Sequence, residues 1–209
     1  MPQYFDNDPI TPSARERIEV DLGDVSFSMA TDRGVFSHGR LDRGTRLLLT
    51  AAATPPSQGN LVDLGCGAGP IAITMALRSP SATVWAVDVN DRARQLCSEN
   101  AAALGLDNIT VAHPNEVDST MRFDTIWSNP PIRIGKSALH DLLDVWLGRL
   151  EDTCSAWLVV QRHLGADSLG RWLESNGYLV RRRAGRSSFR LLEVQQRTPS
   201  SQISATDDS

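Results

Sequence analysis

Apolar and polar positions along the chain fall into alternating short and long segments. The stretch "VSFSMA" (25–30) switches between apolar and polar at every residue, the period of a half-buried strand. "LDRGTRLLLTAAA" (41–53) changes to a helical period, and "TPPSQGN" then breaks the chain. After the break the order is regular. "LVDL", "ATVWAVDV", "NITVA", "FDTIW" and "AWLVVQ" read as short strands. Between them "PIAITMALRS", "DRARQLCSENAAALGL" and "KSALHDLLDVWLGRL" read as helices. In the second of these, Ala93, Leu96, Cys97, Asn100, Ala101 and Leu104 share one face, with Asp91 expected as N-cap and Gly105 as stop. In the third, Leu139, Leu142, Leu143, Trp146 and Leu150 form one stripe. A further helix, "ADSLGRWLESNG", precedes the final strand pair "YLVRRRA" and "FRLLEVQQ".

Strands separated by helices predict a mainly parallel sheet covered on both faces. The last pair has no helix between its members, which predicts one antiparallel strand at or near an edge. Residues 1–24 read as an irregular lead-in, 25–197 as the folded domain and 198–209 as a disordered tail. A chain of 209 residues suits one such domain.

Composition changes this picture little. The N-terminus has no apolar signal core and no eighteen-residue apolar run occurs, so a cytoplasmic protein without membrane segments is expected. Cys66, Cys97 and Cys154 lack CxxC spacing and four scattered histidines lack ligand spacing, which predicts reduced thiols and no metal. A net charge of −4 weighs against general nucleic-acid binding. Five arginines in "LVRRRAGRSSFRLLEV" run against that balance. They serve either as protection of an edge strand or as an RNA-facing patch.

Ligands of open α/β sheets sit at the carboxyl ends of the strands. Three such ends carry chemistry here: "DLGCGAG", "VDVN" and "SNPP". Gly65, Gly67 and Gly69 allow a tight turn and close backbone approach to a nucleoside ligand. A dinucleotide fingerprint would place its last glycine where Pro70 stands. Asp88, ending the next strand, supplies a carboxylate for two ribose hydroxyls. Asp63 beside the turn disfavours a pyrophosphate and suits a ligand carrying an ammonium and a sulfonium.

Together "DLGCGAG", "VDVN" and "FDTIWSNPPI" resemble motifs of the class I S-adenosylmethionine-dependent methyltransferases. "TDRGVFSHGRLDRGT", "SNPPIRIGK" and "VVQRHLGADSL" are similar to the small-domain ribosomal RNA guanine-N2 enzymes of that group, over roughly residues 25–195. The resemblance implies a Rossmann-like seven-stranded sheet, S-adenosylmethionine as cofactor, and ribosomal RNA or a ribosomal subunit as partner of a monomer. It also implies site roles. Asp63, Gly65, Cys66 and Gly67 would surround the methionine part, Asp88 the ribose, and Val89 and Asn115 the adenine. Asn129 would face both cofactor and target. Its side-chain oxygen and the Pro130 carbonyl would accept the two N–H bonds of an exocyclic amine and aim its lone pair at the methyl. Pro131 would stiffen that carbonyl and offers no competing N–H.

Ile132 stands where related motifs often carry an aromatic residue, which leaves Phe36 either to stack on an extruded base or to sit in the core. Arg133 and Lys136 either contact RNA phosphate or belong to a solvated loop and helix start. Asn-Pro-Pro elements also serve enzymes acting on adenine amines or protein glutamine amides, so those acceptors stay open. A non-catalytic RNA-binding module is the remaining alternative, and the intact Asp63, Gly65, Gly67, Asp88 and Asn129 argue against it.

Overall fold

The computed structural model describes residues 12–35, 39–184 and 188–197. Phe36, Arg186 and the tail from residue 198 lie outside the described residues. The chain opens with β1 (Glu16–Asp21) and β2 (Ser26–Thr31), an antiparallel hairpin pairing Glu16 with Thr31 and Asp21 with Ser26. The first of these strands falls in the stretch expected to be irregular. Its polar run "ERIEVD" concealed it, since only Val20 of the strand is fully buried.

Next come α1 (Arg43–Ala51), β3 (Gln58–Leu64), α2 (Pro70–Arg78), β4 (Ser81–Val87), α3 (Asp91–Ala103), β5 (Ile109–Ala112) and β6 (Phe123–Ser128). The chain continues through α4 (Lys136–Leu147), β7 (Leu150–Gln161), α5 (Ala166–Ser175), β8 (Tyr178–Ala184) and β9 (Phe189–Gln196). Seven strands form one sheet in the order β5-β4-β3-β6-β7-β9-β8. The first five run parallel, and β9 is antiparallel to both of its neighbours. The antiparallel strand is thus one in from the edge, and β8 is the edge itself.

Both faces of the sheet are covered, and period-2 alternation decides which side chain goes where. Leu61, Trp127, Trp157 and Val159 pack with Leu48 of α1, Ile71 of α2 and Cys97 of α3. Val62, Ile126, Leu158 and Val160 pack with Leu143 of α4 and Leu173 of α5. The hairpin adds a third cluster, in which Val20, Phe27 and Met29 meet Ile73, Ala93 and Leu96. It therefore packs on α2 and α3 beside the glycine turn.

Local signals account for most boundaries. Pro70 occupies the first position of α2, where no N–H is needed. The cap of α3 is Asn90 rather than the expected Asp91: its side chain accepts from the Arg92 and Ala93 amides at 2.9 and 3.2 Å. Asp91 stands in the first turn instead, where a negative charge is favoured. Leu150, assigned by its spacing to the helical stripe, begins β7. Gly148 ends α4 two residues earlier.

Candidate active site

The carboxyl ends of β3, β4 and β6 lie side by side, and each turns sharply. Gly65, Gly67 and Gly69 have φ of +79°, +54° and +93°, a conformation that side chains on L-residues disfavour. A Cβ at Gly69 would also lie 2.6 Å from Cys97 Sγ. The Gly65 and Cys66 amides donate to the Val87 carbonyl at 2.8 and 3.0 Å, which fastens the turn to the end of β4.

Asp88 follows that end. One carboxylate oxygen accepts the Gly67 amide and the other the Asn90 amide, each at 2.9 Å. Burial pushes its pKa up, against the pull of those amides and of Arg94. Each oxygen keeps a second lone pair, so the carboxylate can still accept from a vicinal diol.

Asp63 is wholly buried in β3. One oxygen accepts the Ala72 amide at 2.9 Å and the other has no partner among the described residues. Burial, reinforced by the charge of Asp88, raises its pKa to about 8. Asn100 joins the parts: its amide donates to the Ala68 and Ala30 carbonyls at 2.9 Å and accepts from the Ala30 amide at 2.8 Å. One side chain thereby ties the hairpin to the glycine turn.

Across the opening, Asn129 follows β6. Its Nδ2 donates to Asp42 Oδ2 at 3.0 Å and to Thr45 Oγ1 at 3.1 Å, both at the start of α1. Asp42 is the N-cap of that helix and accepts the Thr45 amide at 2.9 Å. The Pro130 carbonyl already accepts the Ile132 amide at 2.8 Å. A carbonyl has two lone pairs, so one remains for a substrate.

A cavity of about 490 Å³ joins these groups. Gly65, Cys66, Gly67, Asp88, Asn129, Pro130, Pro131, Ile132 and Arg133 all line it, as expected from the sequence. Asp63, Val89, Asn115 and Lys136 do not. Asp63 instead braces the turn from beneath, through the start of α2. Asn115 is exposed in the short helical turn Pro114–Glu116, where its amide donates to His113 Nδ1. The lining residues that sequence reasoning missed include Met29 and Thr31 of the hairpin, Asp42 and Thr45 of α1, and Gln161, Leu164 and Phe189 near β7 and β9.

The residues present fit a nucleoside ligand bearing a sulfonium. A carboxylate free to chelate a ribose and a turn open to backbone approach supply what the nucleoside part of such a ligand needs.

The profile of the methyltransferase small domain family matches residues 26–193. The "Uncharacterized protein YbxB" of Bacillus subtilis is 34% identical over 174 residues, 82% of this chain and 87% of that protein. The "Ribosomal RNA small subunit methyltransferase C" of Aeromonas hydrophila is 34% identical over 136 residues, 65% of this chain but only 39% of that protein's own length.

Among solved structures, the T. thermophilus 16S rRNA N2 G1207 methyltransferase (RsmC), in complex with AdoMet and guanosine, superposes with a TM-score of 0.75. It is 21% identical, and the match covers 90% of this chain and 52% of that one. A ribosomal protein L11 methylase from Lactobacillus delbrueckii has a TM-score of 0.62 at 21% identity, covering 75% of this chain and 80% of its own. The chain belongs to the methyltransferase small domain family and is an S-adenosylmethionine-dependent methyltransferase.

Proposed function

We propose that the enzyme methylates ribosomal RNA at the exocyclic N2 amine of a guanine. The observation that carries this reading is the acceptor pair at the end of β6. With both N–H groups of Asn129 turned to Asp42 and Thr45, its oxygen is the atom left for a substrate. The Pro130 carbonyl offers the second lone pair.

An exocyclic amine has two N–H donors and a lone pair delocalised into its ring. Acceptors on both hydrogens rotate that lone pair toward the electrophile and stabilise the positive charge that grows on nitrogen. S-adenosylmethionine supplies the methyl group as a sulfonium. Once the N–C bond forms, the amine is acidic enough to release its proton to water, and no strong base is needed at Asn129.

The names of the RNA methyltransferase relatives support the substrate class. So does the surface. Arg40 and Arg133 line the cavity, and Arg43, Lys136 and Arg162 are exposed on segments that reach it. None of the five forms an ion pair with another described residue. Unpaired cations around a cavity in a chain of net charge −4 suit a phosphate backbone.

The test is digestion and mass spectrometry of ribosomal RNA from a deletion strain, with purified enzyme and cofactor added back. One N2-methylguanosine should disappear and return. A complete set of methylated guanines in the deletion strain, with a methyladenine or a methylated protein glutamine missing instead, would sink the proposal.

A further inference from the structure

The two ends of an asparagine amide are nearly identical in shape and opposite in hydrogen-bond character. With Nδ2 toward the substrate, Asn129 would meet an amine's N–H groups with donors of its own. The orientation must therefore be enforced, and the groups behind Asn129 can enforce it. We infer that Asp42, assisted by Thr45, is the positioning residue that locks Asn129 with its oxygen toward the acceptor amine. This inference rests on the N-methylation reading above.

The geometry behind it is one-sided. A carboxylate accepts hydrogen bonds and cannot donate them. Asp42 Oδ2 lies 3.0 Å from Asn129 Nδ2, so a flipped amide would put two acceptor oxygens against each other. Thr45 Oγ1, 3.1 Å away and buried, takes the second N–H. Asp42 is itself held in place, because the same oxygen caps α1 through the Thr45 amide at 2.9 Å. One helix start thus orients a side chain more than eighty residues away in sequence. Asp42, Thr45 and Asn129 all line the cavity. The bond to a charged acceptor also polarises the amide, which raises the electron density on its oxygen and its pull on an amine turning positive.

Asp42→Ser separates this role from the helix cap. Serine caps a helix about as well as aspartate, so α1 should stay intact. Its shorter hydroxyl cannot both cap and hold Asn129. The expected result is a fall in kcat on the order of tenfold to a hundredfold, with cofactor Kd and melting temperature close to wild type. Asp42→Asn keeps an acceptor oxygen in the same place and should recover much of the rate. Wild-type kcat in the serine variant, or a loss of kcat that only tracks a loss of folding and cofactor binding, would overturn the inference.

A second readout is independent of the substrate. The side-chain NH2 signals of Asn129, identified by their absence in Asn129→Ala, should shift and exchange faster in Asp42→Ser. Unchanged signals would overturn the lock whatever the acceptor is. If the wild type turns over no RNA, the substrate reading fails while this spectrum still decides on Asp42.

Discussion

The cofactor side and the acceptor side of the cavity are built in different ways. On the cofactor side, the turn at residues 65–69 and Asp88 come from one strand-turn-helix unit and the end of the next strand. Their hydrogen bonds go mostly to main chain: the turn amides reach Val87, and Asp88 reaches the Gly67 and Asn90 amides. On the acceptor side, Asn129 depends on the start of α1, Gln161 on the end of β7 and Phe189 on the start of β9. Four segments distant in sequence must all be in register before those side chains meet. The first side is fixed by short-range geometry. The second side is a product of the assembled sheet, including its antiparallel strand.

Two substitutions should pull these sides apart, and they carry the largest expected effects. Asn129→Ala removes one of the two acceptors proposed for the target amine and should lower kcat on the order of a hundredfold or more. Cofactor affinity should change little. Asp88→Ala should do the reverse, weakening cofactor binding by calorimetry at least about tenfold, the scale of losing a bond to a charged group. It should also abolish most of the cofactor-induced rise in melting temperature. If both variants lose cofactor and turnover in the same proportion, the cavity works as one unit and the division is wrong.

The same contrast explains what is legible in the sequence. "DLGCGAG" followed about twenty residues later by "VDVN" is a local pattern, because the strand-turn-helix that needs it is local. "SNPP" is legible for the same reason: proline chemistry acts on its own neighbours. Asp42 and Thr45 give no signal beyond an ordinary helix start, since their partner lies at Asn129. The hairpin strand β1 is hidden by its polar side chains, and with it goes Ile18, the part of the cavity wall that β1 supplies. The position of Asp63 beside the glycines suggests a residue that touches the ligand. Its location beneath the turn follows from the strand's alternation and from the buried start of α2, whose Ala72 amide needs an acceptor.

A smaller effect concerns two sets of arginines. Arg181 and Arg183 on the edge strand β8 approach Glu193 at 3.9 and 2.5 Å, and Arg182 approaches Asp167 at 3.7 Å. Their charge is largely spoken for, which favours the edge-protecting role over the RNA-facing patch. Arg40 and Arg133 at the cavity have no such partner among the described residues. Replacing Arg40 and Arg133 together with alanine should raise KM for RNA several-fold. It should also flatten the salt dependence of binding, by about 0.7 in log-log slope for each phosphate no longer neutralised. Replacing Arg182 and Arg183 should leave RNA kinetics nearly unchanged and make the protein more prone to aggregate. The opposite ranking would move the docking surface to the sheet edge.

A last effect is on stability, and it comes from the carboxylate beneath the cofactor side. Asp63 has a folded pKa of about 8 against an ordinary value of 3.8. Between those values the folded protein holds a proton that the unfolded chain has released. Stability therefore falls as pH rises from about 4 to about 8 and levels off above that. Asp32 acts in a separate window: burial pushes its pKa up, but the bonds from Arg92, Ser13 and the Ala14 amide together outweigh that and lower it to about 2, so its contribution is present above pH 3.8 and lost on further acidification. Melting points of the cofactor-free protein should thus decline by roughly ten degrees between pH 5 and pH 8. Asp63→Asn should flatten that decline while lowering the melting point at pH 5, because a buried amide hydrogen replaces the orphaned oxygen. Part of the slope should remain, since Asp88 is raised in the same direction. Saturating S-adenosylmethionine should also flatten the wild-type decline, because its two cationic centres favour the ionised carboxylates. An Asp63→Asn variant with the full wild-type slope would place the titrating group elsewhere.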